Sequence, residues 1–290
     1  MAMVKSVRIS KKDIEPIVSN ALAEDLASGD ITTESLIRSA LKGKASILVK
    51  RDGVMAGINV AKEVFRQVDA SLRFKALVKD GAKVRKGEIV AIVEGKVSSI
   101  LKAERTSLNF LQHLSGIATE TARYVEAVSG TGAVIMDTRK TIPGMRLLEK
   151  HAVRVGGGRN HRLNLADGIL IKDNHLVTLH SCGIGLGEAV EKARQRVSRT
   201  MKVEVEVNSV KQANEALSAG ADIIMLDNMK LEDMRKAVKL VKGRALLEAS
   251  GGITLDNVRS IAETGVDLVS VGALTHSARA LDISLELEPG

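Results

Sequence analysis

The chain has 290 residues, of which 44% are hydrophobic and 1% aromatic, and its formal net charge is +8. This length predicts one large or two modest domains with an aliphatic core. The single cysteine, Cys182, excludes an internal disulfide framework and a cysteine-based zinc site. No stretch is apolar enough for a transmembrane helix or a signal-peptide core, so we expect a soluble cytoplasmic protein that binds anionic partners.

The first part of the chain mixes helical and strand patterns. Ser10 is a candidate amino-terminal cap for a first helix. Short strands with glycine-centred turns are predicted within residues 43–95, on either side of a helical segment at 60–68. A long helix is predicted over 103–128, because leucine, alanine and valine recur on one of its sides. We therefore predict an α+β amino-terminal domain over residues 1–115.

From about residue 133 the pattern changes to a strand followed by a helical or loop segment, repeated six times. The candidate strands are short and aliphatic, and they lie at 133–136, 168–171, 203–207, 223–226, 245–248 and 268–271. This alternation predicts a parallel sheet covered by helices. Six units fit either an incomplete βα-barrel or an open doubly wound sheet. The first strand lacks a following G-x-G-x-x-G motif, which favours the barrel, over residues 116–276.

The end of the chain departs from the strand-then-helix repeat. Residues 281–287 alternate apolar and polar side chains, which predicts a half-buried antiparallel strand. We expect this tail, residues 277–290, to return to the sheet of the amino-terminal domain. The predicted fold class is therefore α/β, with an α+β amino-terminal domain and an incomplete six-stranded βα-barrel.

Eleven basic residues, eight Lys or Arg and three His, lie between Met136 and His175. Such a cluster inside a folded segment suits a ligand with several negative charges, which a nucleic acid, a membrane or a small polyanion supplies. The candidate anion-binding residues are Arg139, Lys140, His161, Arg162 and Lys172. Three other cations have helical spacing and are interpreted as a solvent-facing helix surface: Arg146, Lys150 and Arg154.

Polar or glycine residues end every predicted strand, which is where parallel barrels keep their active residues. These ends are 137–140, 172–173, Glu206, Asp227, 250–252 and 272–273. The two glycine segments, after the last two strands, suit phosphate binding at helix starts near Thr254 and Thr275, with ordinary tight turns as the alternative. Glu206 and Asp227 suit Mg²⁺ or sugar hydroxyls, with a structural ion pair as the alternative and Glu204 as a rival to Glu206.

Eight segments spread in order along nearly the whole chain carry a family resemblance. They are 24–33, 103–117, D-T-R-K-T-I-P-G at 137–144, G-G-G-R-N-H-R at 156–162, 171–175, 203–207, 226–228 and 248–253. With these segments the chain resembles the quinolinate phosphoribosyltransferases. One departure is Ala249, where the family often has Ser. We expect little effect from it, because the backbone binds the phosphate.

The resemblance implies that quinolinate and 5-phosphoribosyl-1-pyrophosphate give nicotinate mononucleotide, pyrophosphate and CO₂ with Mg²⁺, a step of NAD biosynthesis. It implies quinolinate binding by Arg105, Arg139, His161 and Arg162. The other implied substrate-binding residues are Thr138, Lys140, Lys172, Glu206, Asp227, Ser250, Gly251, Gly252, Val271, Gly272 and Ala273. Among these, the candidate catalytic residues are Lys140, Lys172, Glu206 and Asp227, and the last two are the candidate Mg²⁺ ligands.

The resemblance also implies a homodimer, with a hexamer as the alternative, in which Arg105 reaches into the active site of the neighbouring subunit. Two other functions stay open. A related barrel phosphoribosyltransferase that acts on another aromatic acid fits the same features. A nucleic-acid-binding protein fits the sequence pI of about 9.5, but the few aromatic residues and the missing recognition motifs disfavour it.

Overall fold

The computed structural model describes residues 9–289, which form two compact units. We name them the antiparallel unit, residues 9–122, 141–157 and 273–289, and the barrel unit, residues 123–140 and 158–272. The units therefore interleave along the chain, whereas the sequence predicts a single boundary near residue 115 and a returning tail. The difference lies mainly in segment 141–157, which the pattern places in the barrel and the structure places in the antiparallel unit.

The elements are numbered in chain order. The helices are α1 Lys11–Leu26, α2 Ile31–Leu36, α3 Ile58–Val68, α4 Val97–Ala127, α5 Arg146–Val155, α6 Asp173–His180, α7 Leu186–Arg196, α8 Val210–Ser218, α9 Leu231–Val241, α10 Val258–Ala262 and α11 Ala273–His276. The strands are β1 Lys42–Val49, β2 Gly53–Val54, β3 Arg73–Ala76, β4 Lys83–Val84, β5 Ile89–Lys96, β6 Val134–Met136, β7 Ile169–Ile171, β8 Val203–Val207, β9 Ile223–Asp227, β10 Leu246–Ser250, β11 Leu268–Ser270 and β12 Ile283–Pro289. Within residues 9–289 no helix has both the length and the apolar character needed to cross a membrane.

The antiparallel unit is built on a four-stranded sheet in the order β12-β1-β5-β3. Strand β1 alternates buried residues, Ala45, Ile47 and Val49, with more exposed ones, because successive side chains of a strand point to opposite faces. The tail strand β12 pairs antiparallel with β1, and Leu285 lies opposite Ile47. The alternation in the tail therefore corresponds to a strand with one side on the core.

Helix α5 is amphipathic, and its buried side includes a lysine. Leu148, Ala152 and Val153 are fully buried, as the helical spacing of apolar residues requires. The interpretation of the basic residues of this helix as a solvent-facing surface is wrong for Lys150, which is 0% exposed. Lys150 lies on the same side of the helix as the buried apolar residues. The spacing of the basic residues alone does not show which of them face the core.

Gly156, just after α5, packs closely against α4. A Cβ atom at Gly156 would lie 2.4 Å from the carbonyl oxygen of Ala118 and 2.7 Å from Cβ of Thr121. We expect Gly156→Ala to lower the thermal unfolding midpoint, since forcing a methyl group into a packed helix contact costs about 1–3 kcal/mol. Gly187→Ala, in α7, is the matched control, because its Cβ meets only ordinary contacts from 3.6 Å outward. Equal unfolding midpoints for both variants would contradict this packing.

The barrel unit contains a six-stranded parallel sheet in the order β6-β11-β10-β9-β8-β7. This order follows the chain around a ring, with the last strand, β11, beside the first, β6. A doubly wound sheet instead reverses its strand order at a switch point. The ring is open between β6 and β7, so the sheet is an incomplete six-stranded βα-barrel, as the sequence predicts.

An irregular segment, residues 159–168, connects the two free edges of the ring. The N–H group of Arg159 donates to the carbonyl oxygen of Ile135 at 2.8 Å, and the Arg159 carbonyl accepts from the N–H group of Asp137 at 3.1 Å. These two bonds add Arg159 to the free edge of β6 as a single bridge. The chain then runs to β7, so residues of this segment lie where a further strand would stand in a complete barrel.

Candidate active site

Three predicted site residues lie together at the carboxyl ends of neighbouring strands. Glu206 is the next-to-last residue of β8, Asp227 ends β9, and Ser250 ends β10. Ser250 is the register partner of Asp227, and Glu206 is the partner of Met225, two residues earlier in β9. In a parallel sheet such ends meet at one edge, so the structure places these side chains on the edge where barrels hold their active residues.

Lys172 and two further acids complete the electrostatics of this edge. The Lys172 Nζ atom lies 3.7 Å from Oε2 of Glu206. Burial raises the pKa of Glu206; the Lys172 ammonium opposes this shift, and the carboxylates of Asp227 and Asp173 add to it. A cation bound beside Glu206, Asp227 and Asp173 would oppose this rise of the Glu206 pKa.

Within the segment Ser250-Gly251-Gly252, the two glycines have a left-handed backbone conformation that strains other residues. Gly251 has a φ of +90° and Gly252 a φ of +58°. A Cβ atom on Gly251 would lie 2.3 Å from Oδ1 of Asn228. Asn228 itself accepts a positive φ of 51°, donates its N–H group to the Ser250 carbonyl at 2.9 Å, and donates Nδ2 to Oδ2 of Asp227 at 2.9 Å. Asn228, which the sequence analysis did not single out, therefore joins the glycine segment to Asp227.

The helices after the two glycine segments differ from the prediction. The helix expected from Thr254 begins at Val258, and the one expected near Thr275 is a four-residue helix, Ala273–His276. The N–H group of Thr254 donates to Oδ1 of Asn257 at 2.9 Å, which holds the intervening residues in a turn. Exposed backbone of Gly251 and Gly252, rather than a helix start at Thr254, is what this end of the barrel offers to a phosphate.

Arg139 and Arg162 lie close enough for their charges to interact. Arg162 is 8% exposed and its Nη1 donates to the carbonyl oxygen of Gly168 at 3.1 Å. Burial lowers the pKa of Arg162, the neighbouring Arg139 lowers it further, and Glu204 opposes the shift. Two neighbouring arginines, one of them partly buried, suit the binding of carboxylate groups. Thr138 is half-buried and accepts from the N–H group of Lys140, which is exposed.

His161 is held by three acids of the barrel interior. The backbone N–H group of His161 donates to Oδ1 of Asp137 at 2.8 Å. Its Nδ1 accepts from the N–H group of Arg162 at 2.8 Å. Its Nε2 lies 3.1 Å from Oε2 of Glu204 and 3.7 Å from Oε1 of Glu248. The sequence analysis named Glu204 only as a rival to Glu206, placed Asp137 only among the residues that follow a predicted strand, and did not single out Glu248, although both glutamates lie within predicted strands.

His161, Glu204 and Glu248 also meet the distance requirement for a metal ion, since one ligand atom from each lies within 4.8 Å of the others. The hydrogen bonds of the imidazole argue against that use. Because Nδ1 accepts a hydrogen bond from the backbone, we assign the ring proton to Nε2. A protonated Nε2 donates to Glu204 and has no lone pair for a metal, so we interpret this trio as a hydrogen-bonded cluster.

The remaining predicted residues are more scattered. Val271 is buried and donates its N–H group to the Met136 carbonyl at 2.9 Å, and Gly272 follows it half-buried. Arg105 is exposed on α4 of the antiparallel unit, and Ala273 begins α11 in the same unit. The barrel unit therefore collects the other predicted residues, while Arg105 and Ala273 belong to the antiparallel unit.

A cavity of about 680 Å³ lies at the other end of the barrel strands. Lys202, just before β8, and Ile223 and Leu246, which begin β9 and β10, line it. At its inner end it reaches His161 and Glu204, whose side chains are 11% and 6% exposed. The hydrogen-bonded cluster thus lies between this cavity and the opposite, carboxyl edge of the sheet.

Comparison with known proteins shows the family to which this chain belongs. The family model described as quinolinate phosphoribosyl transferase, C-terminal domain, matches residues 117–286, and the model of the N-terminal domain of the same enzyme matches residues 30–115. This chain belongs to the quinolinate phosphoribosyl transferase family. The family assignment covers both units and confirms the resemblance drawn from the sequence motifs.

Members of the quinolinate phosphoribosyl transferase family in other organisms are similar along nearly their whole length. A probable nicotinate-nucleotide pyrophosphorylase (carboxylating) of Bacillus subtilis (strain 168) is 42% identical over 274 residues, 94% of this chain and 93% of that protein. The nicotinate-nucleotide pyrophosphorylase (carboxylating) of Mycobacterium leprae (strain TN) is 44% identical, over 93% and 95% of the two chains. The crystal structure of NadC from Streptococcus pyogenes matches with a TM-score of 0.93 at 43% identity, over 98% and 100% of the two chains.

Proposed function

We propose that this protein is an enzyme, a nicotinate-nucleotide pyrophosphorylase (carboxylating). It transfers the phosphoribosyl group of 5-phosphoribosyl-1-pyrophosphate to quinolinate, releases pyrophosphate and CO₂, and supplies nicotinate mononucleotide to NAD biosynthesis. Membership of the family and the names of relatives that are 40–44% identical support this proposal. The observation that carries it is that Arg139 lies close enough to the partly buried Arg162 for its charge to lower the Arg162 pKa, a repulsion that two adjacent carboxylates would relieve. A cytoplasmic location remains a prediction.

The residues of the barrel unit fit the charges of this reaction. When pyrophosphate leaves, the ribose C1 atom gains oxocarbenium character, and the quinolinate ring nitrogen attacks it. The ring nitrogen is then positive, which stabilises the carbanion formed as the adjacent carboxylate departs as CO₂, and a proton takes its place on the ring carbon. Positioning by the arginines and charge stabilisation by Lys140 and Lys172 supply the catalysis, so no covalent enzyme intermediate is needed.

Glu206 and Asp227 fit a magnesium ion that arrives with the phosphoribosyl donor. Both offer carboxylate oxygens, the ligands that Mg²⁺ prefers, and a cation there would oppose the rise of the Glu206 pKa that burial causes. Bound Mg²⁺ would neutralise charge on the departing pyrophosphate. Asp227 is oriented by the Asn228 amide, and the exposed glycine backbone of 251–252 is placed to receive the 5-phosphate.

Activity toward a panel of pyridine carboxylates is the decisive experiment. We expect mononucleotide formation from quinolinate only when the phosphoribosyl donor and Mg²⁺ are both present, and little from nicotinate, which has one carboxylate. Turnover of nicotinate as fast as quinolinate would refute the two-carboxylate site. Preferred turnover of a different aromatic acid would instead assign the chain to the related phosphoribosyltransferase activity that the sequence left open.

We further propose that the enzyme is a homodimer in which Arg105 enters the active site of the neighbouring subunit. Arg105 is exposed on α4, where a second subunit can reach it. Sedimentation of the purified protein tests the dimer. Mixing inactive Arg105→Ala with inactive Arg139→Ala subunits tests the sharing of sites, because random exchange in a two-fold dimer restores about one quarter of the sites. No recovery after proven subunit exchange would show that each site is built from one subunit.

A further inference from the structure

The hydrogen bonds around His161 show where the orientation of the quinolinate-binding segment comes from. Both ring nitrogens of His161 contact the protein: Nδ1 accepts from the backbone of Arg162, and Nε2 lies 3.1 Å from Glu204. The imidazole therefore links the strand residue Glu204 to the backbone of Arg162. Glu204 is 4% exposed on β8, so it is a fixed point in the barrel wall.

Glu248, on β10, is a second buried acid near His161, and it differs from Glu204 in that its pKa is strongly raised. It is 0% exposed, and the Ser270 side chain lies against its carboxyl group, where a hydrogen bond opposes the rise of the Glu248 pKa. The titratable groups that face it are His161, Glu204 and Asp137. Burial raises the pKa of Glu248 to about 8, and the Glu204 carboxylate contributes to the shift. Near neutral pH this carboxyl group is therefore protonated and uncharged, and it ionises as the pH rises through about 8.

We propose that Glu204 and Glu248 are positioning residues for quinolinate binding. Glu204 accepts the Nε2–H of His161 and thereby fixes the imidazole and the backbone of Arg162, while uncharged Glu248 leaves that hydrogen bond undisturbed. When Glu248 ionises, a second carboxylate competes for the single Nε2–H, and its charge repels the dianionic substrate. This role rests on the proposed function, and neither residue needs to touch the substrate.

Two substitutions of Glu204 separate hydrogen bonding from bulk. Glu204→Met removes the acceptor and keeps a side chain of similar length, and we expect it to raise the KM for quinolinate at least about tenfold, while the KM for the phosphoribosyl donor changes little. Glu204→Gln keeps a carbonyl acceptor and should recover most of the loss. An unchanged quinolinate KM in Glu204→Met, or an equal loss in both variants, overturns the positioning role. Glu232→Gln, an exposed acid at the start of α9, is the control.

The pH dependence tests Glu248. Since glutamine mimics the protonated carboxyl group, the rise of the quinolinate KM between about pH 7 and pH 9 should be much smaller in Glu248→Gln than in the wild-type protein. A similar rise in both proteins, with Glu248→Gln folded by circular dichroism, overturns the role of Glu248. If Glu248 only stabilised the fold, Glu248→Gln would lower the unfolding temperature, and the quinolinate KM would rise with pH as steeply as in the wild-type protein.

A measurement without turnover keeps this inference apart from the proposed function. Nitrogen NMR of the wild-type protein, with the His161 signals assigned by their loss in His161→Gln, should show a proton on Nε2 and none on Nδ1. A proton on Nδ1 overturns the positioning role even in an active enzyme. Correct tautomer signals in a protein that does not convert quinolinate would instead leave the positioning geometry standing and reject the function.

Discussion

Arg139→Ala should lower kcat/KM for quinolinate by roughly 30- to 5,000-fold, which corresponds to the loss of about 2–5 kcal/mol when one partner of a desolvated, hydrogen-bonded charge pair is removed. Arg139 lies next to Arg162, whose pKa its charge lowers. Each guanidinium group is expected to bind one of the two quinolinate carboxylates, so a single remaining arginine would leave one carboxylate without its partner. Steady-state kinetics with each substrate varied in turn, together with circular dichroism to verify folding, measures the effect.

The control for Arg139→Ala is Arg235→Ala, which removes an exposed arginine from helix α9 of the same unit. It changes the net charge equally and should keep kcat/KM within about twofold, because exposed charges act weakly and are screened by salt. If Arg139→Ala retained wild-type kinetics, quinolinate would have to bind elsewhere, and the pairing of arginines would have no part in recognition.

Gly251→Ala should raise the KM for the phosphoribosyl donor at least about tenfold, the equivalent of ~1.4 kcal/mol. Alanine at a φ of +90° is strained, and its Cβ would stand 2.3 Å from Oδ1 of Asn228. Moving Asn228 away breaks its hydrogen bond to Asp227, so one methyl group disturbs both the phosphate and the ribose regions. The KM for quinolinate should change much less.

Two further variants isolate the cause of that loss. Gly220→Ala shares the left-handed backbone, with a φ of +84°, but nothing lies within 4 Å of its Cβ, so it measures backbone strain alone. Asn228→Gly removes the clashing amide at a position whose φ of 51° glycine tolerates. In a double-mutant cycle, adding Gly251→Ala to Asn228→Gly should cost less than adding it to the wild type. Strict additivity would show that the clash does not matter.

The barrel strands follow from the sequence because their aliphatic runs are short, separated and bounded by polar or glycine residues. Each of the six predicted strands agrees with an observed one to within two residues at either end, from Val134–Met136 to Leu268–Ser270. Their carboxyl ends carry Glu206, Asp227 and Ser250, so the rule that parallel barrels keep their chemistry at that edge places these residues correctly on the sheet. Local pattern and one topological rule suffice for this part.

Features that depend on distant partners do not follow from local pattern. Lys150 looks like a surface residue because it is charged and helical, yet its side of α5 is buried. The helix expected at Thr254 starts four residues later, since the Asn257 side chain engages the Thr254 backbone. The partners of His161 come from three different strands and segments, and only their convergence in space distinguishes Glu204 and Glu248 from ordinary strand residues.

Because the barrel is open between β6 and β7, some residues predicted to contact the acceptor lie outside the paired strands that form its framework. The six paired strands are held by a ladder of backbone hydrogen bonds, which forms the framework of the barrel. Residues 159–168 lie outside that ladder: they join the ring through the backbone bridge at Arg159 and through hydrogen bonds of Asn160 and His161 to Asp137. Substitutions in this segment therefore alter the predicted acceptor contacts without breaking a strand ladder, which makes it the natural place to redesign acceptor choice as long as the bonds of Asn160 and His161 to Asp137 are kept.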